Sequence, residues 1–176
     1  MAWTAPKTYV ALSVLTAAEL NTYERDNLLF LYTVLANIKT TTITGAVSTT
    51  STSFTDLTGL TQAITPTASS HKVLVQVATS VSHSALELIS MNVVRTSTAI
   101  GQPSGGSTPA TAQNTTQAST DIKALSMIVE DSPATTSATT YKIQWKVSGG
   151  TGYVNRRGDS ANITSVSTIN LREVIA

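Results

Sequence analysis

The sequence contains no cysteine among its 176 residues. Disulfide bonds and Cys-ligated zinc sites are therefore excluded, and the fold has to be stabilised by apolar burial or by oligomerisation. Long apolar runs are also lacking, because none reaches the roughly 18 residues that a membrane-spanning helix needs. We therefore expect no membrane insertion.

Charged residues are scarce, at 12% of the chain, and the net charge is only +1. No cluster of lysine or arginine forms the basic surface that nucleic acids or anionic membranes attract, so we expect neither as a partner. Aromatic residues are few as well, with 2 Trp, 5 Tyr and 2 Phe. A signal peptide is poorly matched, since the apolar run after Lys7 is short, and we expect cytoplasmic synthesis without secretion.

Small hydroxyl side chains are abundant instead, with 32 Thr and 21 Ser in the chain. The solvent-exposed surface is therefore built largely from hydroxyls rather than charges. Threonine also favours strands, because its branched Cβ suits a pleated surface. This composition is typical of extracellular or virion-surface β proteins.

One helix is predicted near the amino terminus, over about residues 16–37. Thr16 and Glu19 have the spacing of a capping box, and Leu15 and Leu20 can form a hydrophobic staple. The second half of this helix is apolar on nearly every side, so it should be buried on all sides. Seven residues of this helix lie at heptad-like spacing or beside it, and we expect them to anchor the chain and to form a trimer. They are Leu20, Tyr23, Asn27, Leu28, Phe30, Leu31 and Val34.

Asn27 lies in the apolar seam of this predicted helix. A polar side chain at such a position can fix the register between copies at some cost in stability. A single sandwich cannot cover a helix on all sides, whereas copies around a three-fold axis, or a socket in a larger particle, can. The alternative is that the helix packs only on its own β domain.

After residue 40 the apolar pattern alternates with the period of β-strands. Alternating runs at 71–83, 141–148 and 162–175 predict strands with one buried face, and runs at 86–95 and 122–130 predict strands covered on both faces. Strands without intervening helices predict an antiparallel β-sandwich, jelly-roll-like, in a mainly β protein. We therefore predict an anchor segment at 1–41, with residues 40–53 as a connector or first strand, and a β-sandwich domain at 42–176.

Two Gly-rich segments, 101–120 and 149–159, are predicted to be exposed loops. The second contains candidate receptor-contact residues that offer a stacking face, an amide and guanidinium donors for sugar hydroxyls or carboxylates. These are Tyr153, Asn155, Arg156 and Arg157. The alternative is that the arginines pair with neighbouring subunits.

The sequence shows no catalytic motif, so we expect no enzyme, no cofactor and no metal site. His71 and His83 lie at opposite ends of one predicted strand and are too far apart to share an ion. Glu130 and Asp131 are neighbours on a strand and therefore point to opposite faces. Trp145 lies on the apolar face of its strand and is interpreted as a core residue.

Two stretches resemble tailed-bacteriophage virion proteins. The amino-terminal pattern T-A-x-x-L-N-T-x-x-R-D-N-L is matched from Thr16 to Leu28 and follows a tryptophan, Trp3. The segment VEDSPATTSATTYKIQWKVSGGTGYVNRRGD and the terminal STINLREV resemble the carboxy-terminal β domain of phage fibre and spike-like proteins. The resemblance covers most of residues 1–38 and 54–176 and implies a virion structural protein of the fibre or spike type.

The resemblance and the apolar helix together lead to an expected function. We expect a short homotrimeric fibre on the virion surface, attached to a capsid, portal or tail protein by its amino-terminal segment. Its β domain would adhere weakly to host-surface glycans. The alternative is a structural decoration protein without receptor binding, and a polysaccharide-degrading enzyme is a distant third.

Overall fold

The structure is a computed structural model that describes residues 4–5, 7–8, 10, 13–105 and 109–175. Within these ranges, three helical segments come first and thirteen strands follow. The helical segments are α1 (Ala17–Leu20), a π-helical segment (Asn21–Arg25) and α2 (Asp26–Leu35). The strands are β1 (Ile38–Ile43), β2 (Val47–Thr49), β3 (Thr55–Ile64), β4 (Lys72–His83), β5 (Glu87–Arg95), β6 (Thr98–Ile100), β7 (Ala112–Thr116), β8 (Lys123–Asp131), β9 (Thr139–Val147), β10 (Gly152–Val154), β11 (Arg156–Arg157), β12 (Ser160–Thr164) and β13 (Ser167–Val174).

The helix begins at the predicted capping box. The Thr16 hydroxyl accepts a 3.2 Å bond from the Glu19 backbone N–H, and the Glu19 carboxylate accepts a 2.9 Å bond from the Thr16 N–H. A hydrogen bond from Lys7, followed by those from Thr16, lowers the pKa of Glu19 to about 2. The predicted helix over about 16–37 is therefore confirmed within two residues at each end, although its π-helical part was not predicted.

The strands form two antiparallel sheets and a small hairpin of β11 and β12. In the first sheet, β13 and β10 pair with successive parts of one edge of β4, and β8 pairs with the other edge. β1 and β2 then extend this sheet beyond β13 and β10. In the second sheet β9 lies between β3 and β5, while β6 and β7 share the far edge of β5. The predicted antiparallel sandwich that follows one helix is confirmed.

The core lies between the two sheets, and the period-2 patterns identified most of it. Alternate residues of β4 and β9 are fully buried, and Trp145 is 1% exposed, which confirms its interpretation as a core residue. From these two strands the core residues are Val73, Val75, Val77, Val81, Tyr141, Ile143, Trp145 and Val147.

The boundary predicted at residues 41 and 42 is wrong, because it falls inside β1. β1 pairs with β13 over six positions, from Ile38 opposite Arg172 to Ile43 opposite Ser167. Threonine is a good strand former on an exposed edge, so a Thr-rich stretch can serve as a strand rather than as a connector. The β domain therefore begins at residue 38.

Two further expectations for the strands differ from the structure. β8 was expected to be covered on both faces, but Ile128 is 69% exposed, because β8 is an edge strand of the first sheet with one open face. The segment 101–120 was expected to be one long loop, but it contains β7, which pairs with β5. The expectation for 86–95 is confirmed over 89–94, since Ser90, Asn92 and Val94 are buried on the second face of β5, whereas Leu86 is 64% exposed ahead of the strand.

Candidate functional site

The helix presents two different stripes. The inner stripe consists of Asn27, Phe30 and Val34, all buried against the rest of the chain. The Phe30 ring lies 6.2 Å from the His71 ring at the end of the sandwich. Of the predicted anchor residues, Tyr23 and Leu31 are half-buried and Leu20 is 39% exposed. The inner stripe therefore packs on its own domain, as in the alternative reading of the sequence.

Asn27 has a different role from the predicted register device. Its side-chain amide donates a 2.7 Å bond to the Thr4 carbonyl, and its Oδ1 accepts a 2.9 Å bond from the Thr4 N–H. A third bond runs from the amide to the Tyr23 carbonyl. Because both hydrogens of the amide are bonded within the chain, Asn27 holds Thr4 against the helix and has no amide hydrogen left for a second copy.

The outer stripe consists of Leu28, Tyr32 and Leu35, which are 67%, 71% and 57% exposed. Their spacing of four and three residues places them on one side of the helix. Leu29, beside them, is also exposed. The expectation that the helix is buried on all sides is therefore not met within one chain.

A hydrogen-bonded cluster joins the end of α2 to the sandwich. Glu173 is buried on β13, and its carboxylate accepts bonds from Asn37, from the backbone and hydroxyl of Thr67, and from His71. Burial acts to raise the pKa of Glu173, but the hydrogen bonds outweigh it and hold the pKa below its ordinary value. The sequence contained a signal for this cluster, since Glu173 occupies an inward position in the alternation of Ile169 and Leu171.

Beside this cluster lies a groove of about 400 Å³ between α2 and the outer face of the first sheet. We call it the junction groove. Its surface is mostly apolar, and it begins at Leu35, where the outer stripe ends. It is lined by Val34, Leu35, Leu74, Arg172, Glu173, Val174 and Ile175.

The candidate receptor turn at 149–159 is only partly exposed. Asn155 is completely buried at φ +62°, so its assignment as a receptor contact is wrong. Its amide donates to the Ile43 and Gly45 carbonyls, and its Oδ1 accepts a 2.6 Å bond from Ser167. An asparagine can adopt this left-handed conformation and bond locally, which is why it turns the chain here.

The other three residues of this turn are partly exposed. The Arg156 guanidinium lies 4.3 Å from the centre of the Tyr153 ring, so the two side chains stack as one unit. Arg157 forms an ion pair with Asp159 in the same turn. The turn therefore brings together Tyr153, Arg156 and Arg157.

Neither histidine is placed for metal binding. His71 bonds to Glu173, and the Nε2 of His83 lies 2.7 Å from the Gly149 carbonyl. No group of three or more His, Asp or Glu side chains within the described ranges could hold a metal ion. Over the same ranges, no helix has the length and apolar character to cross a membrane.

Comparison with known proteins adds little to this geometry. No protein-family model and no curated protein matches the chain. Among solved structures, the chain is similar to one described as "Structure of infectious bursal disease virus Gx strain", with a TM-score of 0.36 and 13% sequence identity. The alignment covers 80% of this chain and 38% of the viral one. We draw no functional conclusion from a likeness of this size.

Proposed function

We propose that the protein is a virion structural protein, a short homotrimeric fibre of a tailed bacteriophage. The observation that carries this proposal is the outer stripe of Leu28, Tyr32 and Leu35, which is apolar and exposed on a chain otherwise rich in surface hydroxyls. Contiguous exposed apolar surface of this kind marks an interaction site. Self-association around a three-fold axis would bury the outer stripe of all three copies.

The amino-terminal segment attaches the fibre to a capsid, portal or tail protein in this proposal. Residues 13–18, ahead of the buried part of the helix, are exposed, and Val14 is 87% exposed. The resemblance of Thr16–Leu28 to the opening segment of phage virion proteins supports the same division. The location is the virion surface, with synthesis in the host cytoplasm.

The β domain would project outward and adhere weakly to host-surface glycans. Its strand order supports a jelly roll, because the chain passes back and forth between the two sheets as it does in that fold. The stacked Tyr153 and Arg156 offer a sugar an aromatic ring and the guanidinium hydrogens that are not bonded to the Arg157 and Gly158 carbonyls. Three copies on one fibre can raise weak binding by about two to four orders of magnitude.

The alternative is a structural decoration protein whose affinity is directed only at other virion proteins. The exposed outer stripe is compatible with this function as well. Neither version involves catalysis, a cofactor, nucleic acid or membrane insertion.

Light scattering and electron microscopy test the proposal. We expect a mass of about three times 18.4 kDa and immunogold label on purified particles. The double variant Leu28→Ser/Tyr32→Ser should dissociate to monomers, and Leu86→Ser is its matched control, because Leu86 is equally exposed but lies in the turn after β4. A monomeric native protein would refute the trimer.

Glycan binding that Tyr153→Ala and Arg156→Ala abolish would favour the adhesive fibre over the decoration protein.

A further inference from the structure

The outer stripe and the junction groove differ in shape and in charge. The stripe is convex, and Glu24 lies four residues before its first residue, Leu28, in the π-helical segment. The groove is concave and contains Arg172 among apolar side chains. Each surface is suited to form one side of a contact between two molecules.

Within the part of the chain that the structure describes, Glu24 and Arg172 have no partner for their charges. Among the described residues, neither the Glu24 carboxylate nor the Arg172 guanidinium makes an ion pair or a side-chain hydrogen bond, and both residues are exposed. Two other charged residues near them are already paired. Arg25 bonds to Asp26 beside Glu24, and Lys72 on β4 bonds to Glu130. The Glu173 carboxylate also lines the groove, but it is buried and bonded to Asn37, Thr67 and His71. The exposed charges without an ion pair are therefore Glu24 beside the stripe and Arg172 in the groove.

We propose that the occupant of the junction groove is the outer stripe of a second copy of this chain. Leu28 and Tyr32 of one copy pack against Leu74, Val174 and Ile175 of the next. Glu24 of the first copy then faces Arg172 of the second. The proposal rests on the self-association proposed above and specifies which surfaces meet.

This contact is heterologous, because a helix of one copy meets a sheet and helix end of another. Heterologous contacts close into rings when the rotation between copies allows it, and three copies close with a three-fold axis. A bundle in which the three outer stripes meet one another would instead leave Arg172 and the groove uncovered. The unpaired charges therefore favour the helix-in-groove arrangement over the simple bundle.

Complementary charge at such a contact mainly sets specificity and register. Reversing one charge places like charges together, and reversing both restores the pair. The two single reversals and the double reversal thus form a closed cycle, from which the coupling between Glu24 and Arg172 can be measured.

The test is sedimentation of the full-length protein at graded concentrations with four variants. We expect Glu24→Arg and Arg172→Glu each to weaken association at least tenfold and Glu24→Arg/Arg172→Glu to restore most of it. Lys146→Glu, on the second sheet, is the control and should have no effect. Circular dichroism of each variant checks that the monomer remains folded.

The outcomes separate this inference from the proposed trimer. If the native protein is a trimer, Leu28→Ser/Tyr32→Ser dissociates it, and the charge variants have no effect, then the stripes meet one another or another virion protein and the inference fails. If both single reversals weaken association and the double reversal does not restore it, the inference fails as well. If the native protein is monomeric, the proposed trimer fails first.

Discussion

Nδ1 of His71 lies 2.7 Å from Oε1 of Glu173, and both side chains are almost completely buried. The pair joins the loop before β4 to the last strand, directly beneath Phe30 of the helix. Asn37 bonds to the same carboxylate from the segment between α2 and β1. This one carboxylate therefore connects the helix to the sandwich.

The stability of the protein should depend on Glu173 in a pH-dependent manner. Its folded-state pKa lies below the ordinary value of 4.5, so the stabilisation is fully present above the unfolded pKa and is lost as the pH falls through the folded pKa. At pH 7 we expect Glu173→Gln to lower the free energy of unfolding by about 1–3 kcal/mol, because the amide cannot accept hydrogen bonds from all the donors around it. Urea unfolding between pH 7 and pH 3 measures the free energy of unfolding of both proteins. The difference between the native protein and the variant should become smaller at acid pH. Glu130→Gln, at an exposed position, is the control; a constant difference at all pH values would contradict the prediction.

Asn155 allows backbone and side-chain effects to be separated. Asn155→Ala removes the bonds to Ile43, Gly45 and Ser167 and places a Cβ-bearing residue without local bonding at φ +62°. We expect a loss of about 2–4 kcal/mol. Asn155→Gly removes the same bonds but tolerates the backbone conformation, so it should lose about 1 kcal/mol less. Thermal unfolding compares the two variants, and equal losses would mean that the conformation costs nothing.

Gly158 is predicted to be intolerant of any side chain. A Cβ at this position would lie 2.2 Å from the His83 carbonyl oxygen and 2.8 Å from that of Ser119, and neither backbone atom can move freely. We expect Gly158→Ala to lower stability by about 1–3 kcal/mol. Gly45→Ala is the matched control, since nothing lies within 4 Å of its Cβ position, and it should be neutral or slightly stabilising. Similar stability of the two variants would contradict this packing.

The boundary of the β domain can be tested with two truncated chains. A chain that starts at residue 36 keeps β1, and we expect it to fold cooperatively. A chain that starts at residue 44 loses the pairing of β1 with β13 and the packing of Ile43 on the core. Its melting temperature should be lower by several degrees, because each kcal/mol corresponds to roughly 2–4 °C in a domain of this size. Calorimetry measures the melting temperatures of the two truncated chains. Equal melting temperatures would place the boundary of the β domain after β1.

The features predicted correctly from sequence depend on local or periodic patterns. Thr16 and Glu19 are three residues apart and need only the helix itself to form the capping box. Tyr141 and Trp145 lie on one face of a strand because of its period of two, whatever the sheet order. Such features hold in any sandwich that buries the same face.

The features that were missed depend on which surfaces meet. A helix that is apolar on most sides has no polar face to show which stripe packs on the sandwich, so Leu28 and Phe30 were grouped together. β7 was missed because its sequence, AQNTT, has no apolar alternation and is held by backbone bonds to β5. The burial of Asn155 follows from a left-handed turn that brings it beneath Ile43, and sequence spacing contains no sign of that contact.

The pairing of β1 with β13 determines how the molecule would respond to mechanical force. The six paired positions run from Ile38 to Ile43, and two residues, Ala36 and Asn37, connect the end of α2 to the first residue of this strand. A pull directed along the axis of β1 would shear all the hydrogen bonds between the two strands together rather than open them one after another. In the proposed fibre, a load applied at the amino-terminal end would reach the β domain through β1 and its pairing with β13.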